Sequence, residues 1–258
     1  MTTHRGRLSL PGFFRSTFVL VGVSLGLAIT VALQAKPLGT LDVGKFSAAK
    51  AGGAFPDGWE PLTFDKIEKH TEYALVEDNG TVAVKAVSRA SASGLVRKVD
   101  IDPMQYPVVE WRWKVENVLK KGDVTRKDGD DYPARLYITF RYDSSKVGFF
   151  ERAKYEAIRF AHGEYPPLGA MNYIWESKSP VGTVVPNPYT GRVRMFVLQS
   201  GNGKSGEWVT ESRNLVEDYR RAFGGDPPRI SGVAVMTDTD NTGESAVAWF
   251  GDIVFKAR

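Results

Sequence analysis

The segment from Val108 to Val115, VVEWRWKV, constrains the fold more than any other part of the sequence. Every second side chain from Val109 onward is apolar, and the side chains between them are charged. Successive side chains of a β-strand point to opposite faces, so this period of two predicts a strand with one buried face and one face in water.

Short apolar segments bounded by turn residues recur along the rest of the chain. Asp-Asn-Gly at 78–80 is a strong hairpin signal. Helical spacing of apolar residues predicts only two helices, at 149–162 and 215–223. Many short strands with few helices favour an all-β sandwich or barrel. The further predicted strands are 73–76, 81–88, 94–99, 134–142, 172–176, 183–185, 193–199, 207–213, 230–236 and 246–255.

The first segment of the chain has the pattern of an export signal. Residues 1–16 carry three arginines and no acid, residues 17–33 are uncharged and apolar, and small residues follow up to Ala35. This order predicts a secretory signal over 1–35 that is cleaved after Ala35, and hence a periplasmic or secreted protein. A retained membrane anchor is the alternative, because the apolar run is close to the shortest that spans a bilayer.

Removing this segment changes the charge of the chain. The full sequence has 34 Lys and Arg against 30 Asp and Glu. Because three of the arginines lie in the signal, the mature chain is nearly neutral, and its charge gives no support for nucleic-acid binding. The chain has no cysteine, which excludes disulfides and cysteine-ligated zinc. We expect a flexible lead-in over 36–54 and a single β-sandwich domain over 55–258.

Four separated motifs stand out along the chain. They are DDYPARLYITF at 130–140, MNYIWES at 171–177, WVTESRNLVEDYRRAFG at 208–224 and MTDTDNTGESAVAWFGDI at 236–253. Together they resemble a family of exported bacterial proteins, the domain-of-unknown-function family 3047, over roughly residues 55 to 256. The resemblance implies a β-sandwich of jelly-roll type with one or two short helices inserted, and it implies export, but it implies no activity.

An acidic turn near the end of the chain is a candidate metal site. Asp238, Asp240, Thr242 and Glu244 place several side-chain oxygens around a turn glycine, and such oxygens are the ligands that calcium prefers. The calcium-loop pattern then fails, because Trp249 stands where the bidentate glutamate belongs. The alternatives are a polar hairpin turn and a loop that contacts a ligand directly.

A second acidic cluster precedes a predicted strand. Asp130 and Asp131 come shortly before Arg135, with which they would form a buried ion pair or half of a binding site. A plain charged loop, with an aspartate paired to Arg135 or Arg141, is the structural alternative. If the two acidic clusters meet, their like charges require a cation, an arginine or raised pKa values.

Aromatic residues near the ends of predicted strands suggest a carbohydrate site. The flat faces of Trp175, Tyr173 and Trp208 would stack on sugar rings, while Asn172 and Arg213 would bind the hydroxyl groups. Each of these aromatics also fits an ordinary place in the core.

These patterns favour a non-catalytic binding protein for a carbohydrate or another polar ligand of the cell envelope, with membrane contact only through the export signal. One alternative is a carboxylate-dependent polysaccharide hydrolase, or a lyase that uses His162 with Tyr165. The other is a structural or assembly factor of the envelope, which predicts an exposed apolar patch and no concave site. The predicted ligand-binding residues are Asp130, Asp131, Arg135, Asn172, Tyr173, Trp175, Trp208 and Arg213.

Overall fold

The computed structural model describes residues 39–257, in which thirteen strands form two sheets packed face to face. The all-β, jelly-roll-like sandwich is confirmed. The strands are β1 (Thr40–Gly44), β2 (Trp59–Leu62), β3 (Glu72–Asp78), β4 (Thr81–Arg89), β5 (Ala92–Ile101), β6 (Val108–Val115), β7 (Ala134–Phe140), β8 (Gly169–Glu176), β9 (Val184–Asn187), β10 (Thr190–Ser200), β11 (Val209–Asn214), β12 (Ile230–Asp238) and β13 (Ser245–Lys256).

The two sheets differ in size and in strand order. The six-stranded sheet has the order β11-β6-β13-β4-β3, with β1 paired to β13. The seven-stranded sheet has the order β2-β5-β12-β7-β8-β10-β9. Its β8 and β10 are parallel, while its other pairs are antiparallel. Because some neighbours in each sheet, such as β6 and β13 or β5 and β12, come from distant parts of the sequence, side chains far apart in the chain meet on one sheet face.

The core lies between the inner faces of the two sheets, and β6 contributes to it as its alternation predicts. Trp111 and Trp113 are buried and meet edge to face, with ring centroids 5.4 Å apart. From the opposite sheet, Tyr173 reaches Trp111 at 5.3 Å and Trp175 reaches Trp113 at 6.1 Å. Burial of such large rings is the main stabilising contribution available to a chain that has no disulfide.

The N-terminal lead-in, predicted to be flexible over 36–54, is instead part of the sandwich in the described residues. There β1 pairs with β13, and a 3-10 turn at Phe46–Ala48 follows. Phe46 is fully buried and packs on Trp59 at a centroid distance of 5.1 Å. The reason is that one large aromatic in an otherwise small-residue segment suffices to anchor the segment to the core.

Both predicted helices are present with the predicted bounds, α1 over Phe149–His162 and α2 over Leu215–Phe223. The side chain of Asn214 caps α2 by accepting hydrogen bonds from the backbone N–H groups of Val216 and Glu217. In α1 only Tyr155 is buried, so the apolar spacing that predicts this helix does not mark a face packed on the core.

The export signal predicted for 1–35 lies outside the described residues. Within 39–257, no helix is long and apolar enough to cross a membrane.

Candidate ligand groove and the acidic cluster beside it

The outer face of the seven-stranded sheet carries the candidate site. One row of outward side chains crosses five strands of this sheet, as the backbone register shows. At the β8 and β10 end of the row, Asn172 and Met195 are fully buried, and Met195 packs with Val124 and Tyr132 from the connection between β6 and β7. At the other end the row opens into a groove. The row is Val96, Ala234, Tyr137, Asn172 and Met195.

The groove has a volume of about 740 Å³, within the range of small-molecule sites, about 300–1,000 Å³. Small and apolar residues of β5 and β12 form its floor, including Val96, Ala234 and Met236. At Gly232 an added Cβ would lie 2.8 Å from the Thr139 hydroxyl, so this position requires glycine unless the threonine moves. The remaining lining residues are Leu62, Phe64, Lys98, Tyr137, Arg141, Tyr142, Glu164, Tyr165, Pro167 and Ser231.

The segment that follows α1 closes one side of the groove. Glu164 accepts hydrogen bonds from the Lys98 ammonium of β5 at 2.9 and 3.0 Å. Next to it, Tyr165 stacks on Tyr142 with a centroid distance of 4.4 Å. This segment therefore contacts Tyr142, just after the end of β7, on one side. On the other side, an exposed ion pair attaches it to Lys98 of β5.

Beside the groove, a buried arginine gathers acids from two parts of the chain. The Nε of Arg135 donates to Asp238 at 2.7 Å, and its Nη2 also bonds to the same carboxylate. The Nη1 of Arg135 lies 3.6 Å from an Asp130 carboxylate oxygen. All three residues are buried, so this ion pair is held in a low-dielectric environment.

Asp131 ties the acidic turn to the same cluster. One of its oxygens accepts the backbone N–H of Thr242 at 2.6 Å, and the other accepts the side-chain amide of Asn241 at 3.0 Å. Carboxylate oxygens of Asp131, Asp238 and Asp240 lie within 4.8 Å of one another. The two acidic clusters that the sequence predicts therefore meet at one place.

Crowding and burial change the acidity of this cluster. Burial, reinforced by the neighbouring Asp131, outweighs the Arg135 guanidinium and raises the pKa of Asp238 to about 8. Burial, again with Asp131, also raises the pKa of Asp240 above its ordinary value. The cluster thus contains the arginine and the raised pKa values that the meeting of like charges requires.

The residues fit a calcium ion poorly. Arg135 already donates to both oxygens of Asp238, and backbone and amide N–H groups donate to the oxygens of Asp131. The structure does not place Glu244 with these oxygens, since its carboxylate instead accepts the backbone N–H groups of Lys120 and Lys121 at 3.0 and 2.8 Å. A cation could approach only Asp131, Asp238 and Asp240, and it would compete there with Arg135.

Tyr137 connects the acidic cluster to the groove. Its ring lines the groove, and its hydroxyl oxygen accepts a hydrogen bond from Nη1 of Arg135 at 3.0 Å. Burial raises the pKa of Tyr137 to about 12, so the hydroxyl keeps its proton at neutral pH. Since arginine only donates, the proton of Tyr137 remains free to donate to another group.

Three of the predicted ligand-binding residues belong instead to the interior. Tyr173 and Trp175 point inward from β8, where Tyr173 donates to Asp218 at 2.7 Å and Trp175 donates to the Gly201 carbonyl at 3.1 Å. Asn172 points to the other face, where it is also fully buried. Residues at i and i+2 of one strand share a face, and here that face is the core.

Two more predicted residues lie on the six-stranded sheet. Arg213 of β11 donates through Nε to Asp218 at 2.9 Å. Trp208 stands before β11, with the Arg112 guanidinium 4.5 Å from its ring, and its indole donates to Asp78 at 2.6 Å. Neither residue lines the groove, so the structure does not bring the eight predicted residues together at one site.

Tyr137 and Thr139 are absent from the predicted ligand-binding residues, although the sequence contains a signal for them. In the segment ARLYITFRY, the residues between the apolar ones are Arg135, Tyr137, Thr139 and Arg141. A single outward face that combines an aromatic with polar residues indicates a surface suited to an amphipathic ligand. Ala234 of β12 lies beside Tyr137 in the sheet, but the sequence alone does not show that β12 and β7 are neighbours.

The fold and the groove together define a β-sandwich with a ligand-sized groove on the outer face of one sheet. The chain belongs to the family of proteins of unknown function DUF3047, whose sequence profile matches residues 57–254. This confirms the family resemblance carried by the four motifs. No functionally curated protein matches the sequence.

The solved structures that match the chain include carbohydrate-binding proteins. A mutant of the family 29 carbohydrate-binding module CBM29-2 is 11% identical, with a TM-score of 0.35, over 85% of this chain and 92% of the module. The Emp47p carbohydrate recognition domain is 10% identical, with a TM-score of 0.43, over 84% and 94% of the two chains. Because both TM-scores are below 0.5, a function for this chain is argued from the geometry of the groove and not from these structures.

Proposed function

We propose that this protein is exported and binds a carbohydrate chain of the cell envelope, without catalysing a reaction, in the groove on the seven-stranded sheet. The observation that carries the proposal is the position of Tyr137 over an apolar floor. The Tyr137 hydroxyl accepts a hydrogen bond from Arg135. Ala234 and Val96 lie next to Tyr137 in the same row of the sheet.

This combination suits a sugar ring. The ring's C–H face lies on apolar side chains, and its hydroxyl groups need donors and acceptors placed around that surface. The Tyr137 proton, the Thr139 and Ser231 hydroxyls and the Lys98–Glu164 pair supply such groups along the groove. Because buried Arg135 fixes Tyr137, the donor is already oriented before a ligand binds, which lowers the entropic cost of binding.

The groove offers little to a carboxylate-dependent hydrolase. Such an enzyme needs two carboxyl groups that face each other across an open cleft. Among the groove residues in the described part of the chain, Glu164 is the one carboxylate, and it is paired with Lys98. Asp130, Asp131 and Asp238 are buried beside the groove rather than open to it. The groove therefore favours binding over hydrolysis.

The test begins with a glycan array that identifies a bound oligosaccharide, followed by calorimetry on variants. We expect Tyr137→Phe to weaken binding about tenfold, which corresponds to about 1.4 kcal/mol, because it removes one buried hydrogen bond. We expect Ala234→Leu to abolish binding, because the larger leucine side chain would occupy the space above the floor of the groove. Tyr106→Phe is the matched control, since Tyr106 lies outside the groove, and it should leave the affinity unchanged.

Two results would contradict the proposal. One is a folded protein that binds no glycan on the array. The other is binding that survives Ala234→Leu but is lost in Trp208→Ala, which would move the site to the six-stranded sheet. Thermal unfolding of each variant shows that the fold is retained.

A further inference from the structure

Helix α1 presents an apolar face to solvent. Phe149, Phe150 and Phe160 are 80%, 83% and 95% exposed, although they are among the largest apolar side chains of the molecule. At about 100° per residue, these rings lie on one side of the helix and Tyr155 lies on the opposite side. Three exposed alanines share the apolar side, Ala153, Ala157 and Ala161. A contiguous exposed patch of this kind marks an interaction surface.

The contacts of α1 with the sandwich fix this orientation. Tyr155 is buried and stacks on Tyr142 at a centroid distance of 4.3 Å. Its hydroxyl lies 3.2 and 3.3 Å from the carbonyl oxygens of Pro167 and Leu168. Glu151, on the same side of the helix, pairs with Arg192 at 2.5 Å. The helix is therefore held by its polar side, and the phenylalanines face away from the protein.

The charges beside the apolar face are predominantly positive. The two acids of the helix are both paired, Glu151 with Arg192 and Glu156 with Arg159. Arg152 and Lys154 flank the apolar face on opposite sides, and neither forms an ion pair with any residue of the described chain. Arg152 also donates to the Val147 carbonyl at 3.3 Å. The face thus combines exposed aromatic rings with two cations at its margins that pair with no acid in the described residues.

We propose that α1 docks this protein on the surface of an anionic lipid bilayer, with the three phenylalanines inserted among the headgroups. Helices that lie in the membrane interface have this pattern, an apolar face with Phe and a polar face with Lys and Arg. Anionic headgroups supply the negative charge that Arg152 and Lys154 lack within the molecule. A second copy fits less well, since two such helices would bring their unpaired cations together.

Docking is tested on the full chain with a single fluorescent label. Because the sequence has no cysteine, Ala157→Cys gives one labelling position on the apolar face for an environment-sensitive dye. Ala51→Cys, an exposed alanine far from α1 in the sequence, is the matched control position. Vesicles of phosphatidylcholine with and without phosphatidylglycerol are titrated into each labelled protein.

We expect a blue-shifted, stronger emission at position 157 with the anionic vesicles, and no comparable change at position 51. Replacing all three phenylalanines by serine should weaken vesicle binding at position 157 about tenfold or more. Each substituted residue is exposed, so the fold should persist, and thermal unfolding of the triple serine variant checks that it does.

Three outcomes would overturn the proposal. The first is an equal response at both labels, which would place the lipid contact elsewhere in the chain. The second is a response at position 157 that the triple serine variant retains. The third is a shift at position 157 that grows with protein concentration in the absence of vesicles, which would identify a second copy as the partner. Loss of glycan binding alone would affect only the proposed function of the groove.

Discussion

At the residue scale, Arg135 is the side chain on which the acidic cluster depends. Its guanidinium bonds to Asp238, lies near the Asp130 carboxylate and donates to the Asp130 backbone carbonyl at 2.5 Å. It also packs over the ring of Tyr132, 4.3 Å from the ring centroid. Removing this one side chain would leave the buried carboxyl groups of Asp130 and Asp238 without their guanidinium partner, and it would release the Tyr137 hydroxyl.

We therefore expect Arg135→Met to lower the free energy of unfolding by about 3–5 kcal/mol, the usual cost of breaking a buried ion pair from one side. Urea denaturation of the full chain measures this change. Arg141→Met is the matched control, because Arg141 pairs with Asp100 at the exposed end of the same strand face. Its loss should cost no more than about 1 kcal/mol. Similar decreases in the free energy of unfolding for both variants would show that Arg135 stabilises the fold no more than an exposed arginine does.

At the scale of single residues, part of the site can be predicted from the sequence. The chemistry of Asp130, Arg135 and Asp238 predicts that they pair if they meet, and the structure shows that they do. That Tyr173 and Trp175 share a face is also implicit in the sequence, because they alternate with Asn172 and Ile174 along one strand. Which of the two faces is the core depends on how the sheets pack, and the local sequence does not specify that packing.

At the element scale, long alternating strands and both helices are predictable, while short edge elements are not. β6 and α2 have the predicted bounds because their periodicities extend over whole elements. β1 and β2 are short, and their sequences, TLDVG and WEPL, contain glycine or proline. Their strand conformation comes from pairing with β13 and β5, a tertiary effect that outweighs local propensity.

A prediction at this scale concerns the anchoring of the N-terminal segment. We expect Phe46→Ala to destabilise the protein by about 3–5 kcal/mol, because it leaves a cavity beside Trp59 in the core. Phe160→Ala removes the same group from a fully solvated position and should change the free energy of unfolding by less than about 0.5 kcal/mol. Chemical denaturation compares the two. A change of less than about 1 kcal/mol in Phe46→Ala would indicate that the lead-in is flexible, as the sequence predicts.

At the scale of the whole molecule, the groove is a product of topology. Its floor and walls come from β5, β7 and β12, and the segment after α1 covers them. No continuous stretch of sequence contains this site. The sequence predicts a polar ligand and an acidic cluster from chemistry alone, but the order of strands in the sheet decides that Tyr137 and Ala234 become neighbours.

The acidic cluster also gives the global stability a distinct dependence on pH. The folded-state pKa of Asp238 is about 8, and that of Asp240 is also raised above its ordinary value. From about pH 4 to pH 8 the folded protein therefore binds more protons at these sites than the unfolded chain does. Their contribution to the free energy of unfolding is greatest below pH 4 and decreases as the pH rises toward 8.

Asp240→Asn isolates this effect, because it removes one of the crowded charges. We expect the variant to be more stable than the wild type at pH 8 by about 0.5–1 kcal/mol, a value reduced for the partial exposure of Asp240, and nearly equal to it at pH 4. Asp78→Asn is the control of opposite sign, because a hydrogen bond from Lys114 lowers the pKa of Asp78. The free energy that Asp78 contributes is present above its unfolded pKa, so Asp78→Asn should destabilise the protein at pH 8. Urea denaturation across this pH range measures both differences, and a loss of stability in Asp240→Asn that grows with pH would mean that the carboxylate of Asp240 is stabilised by a cation.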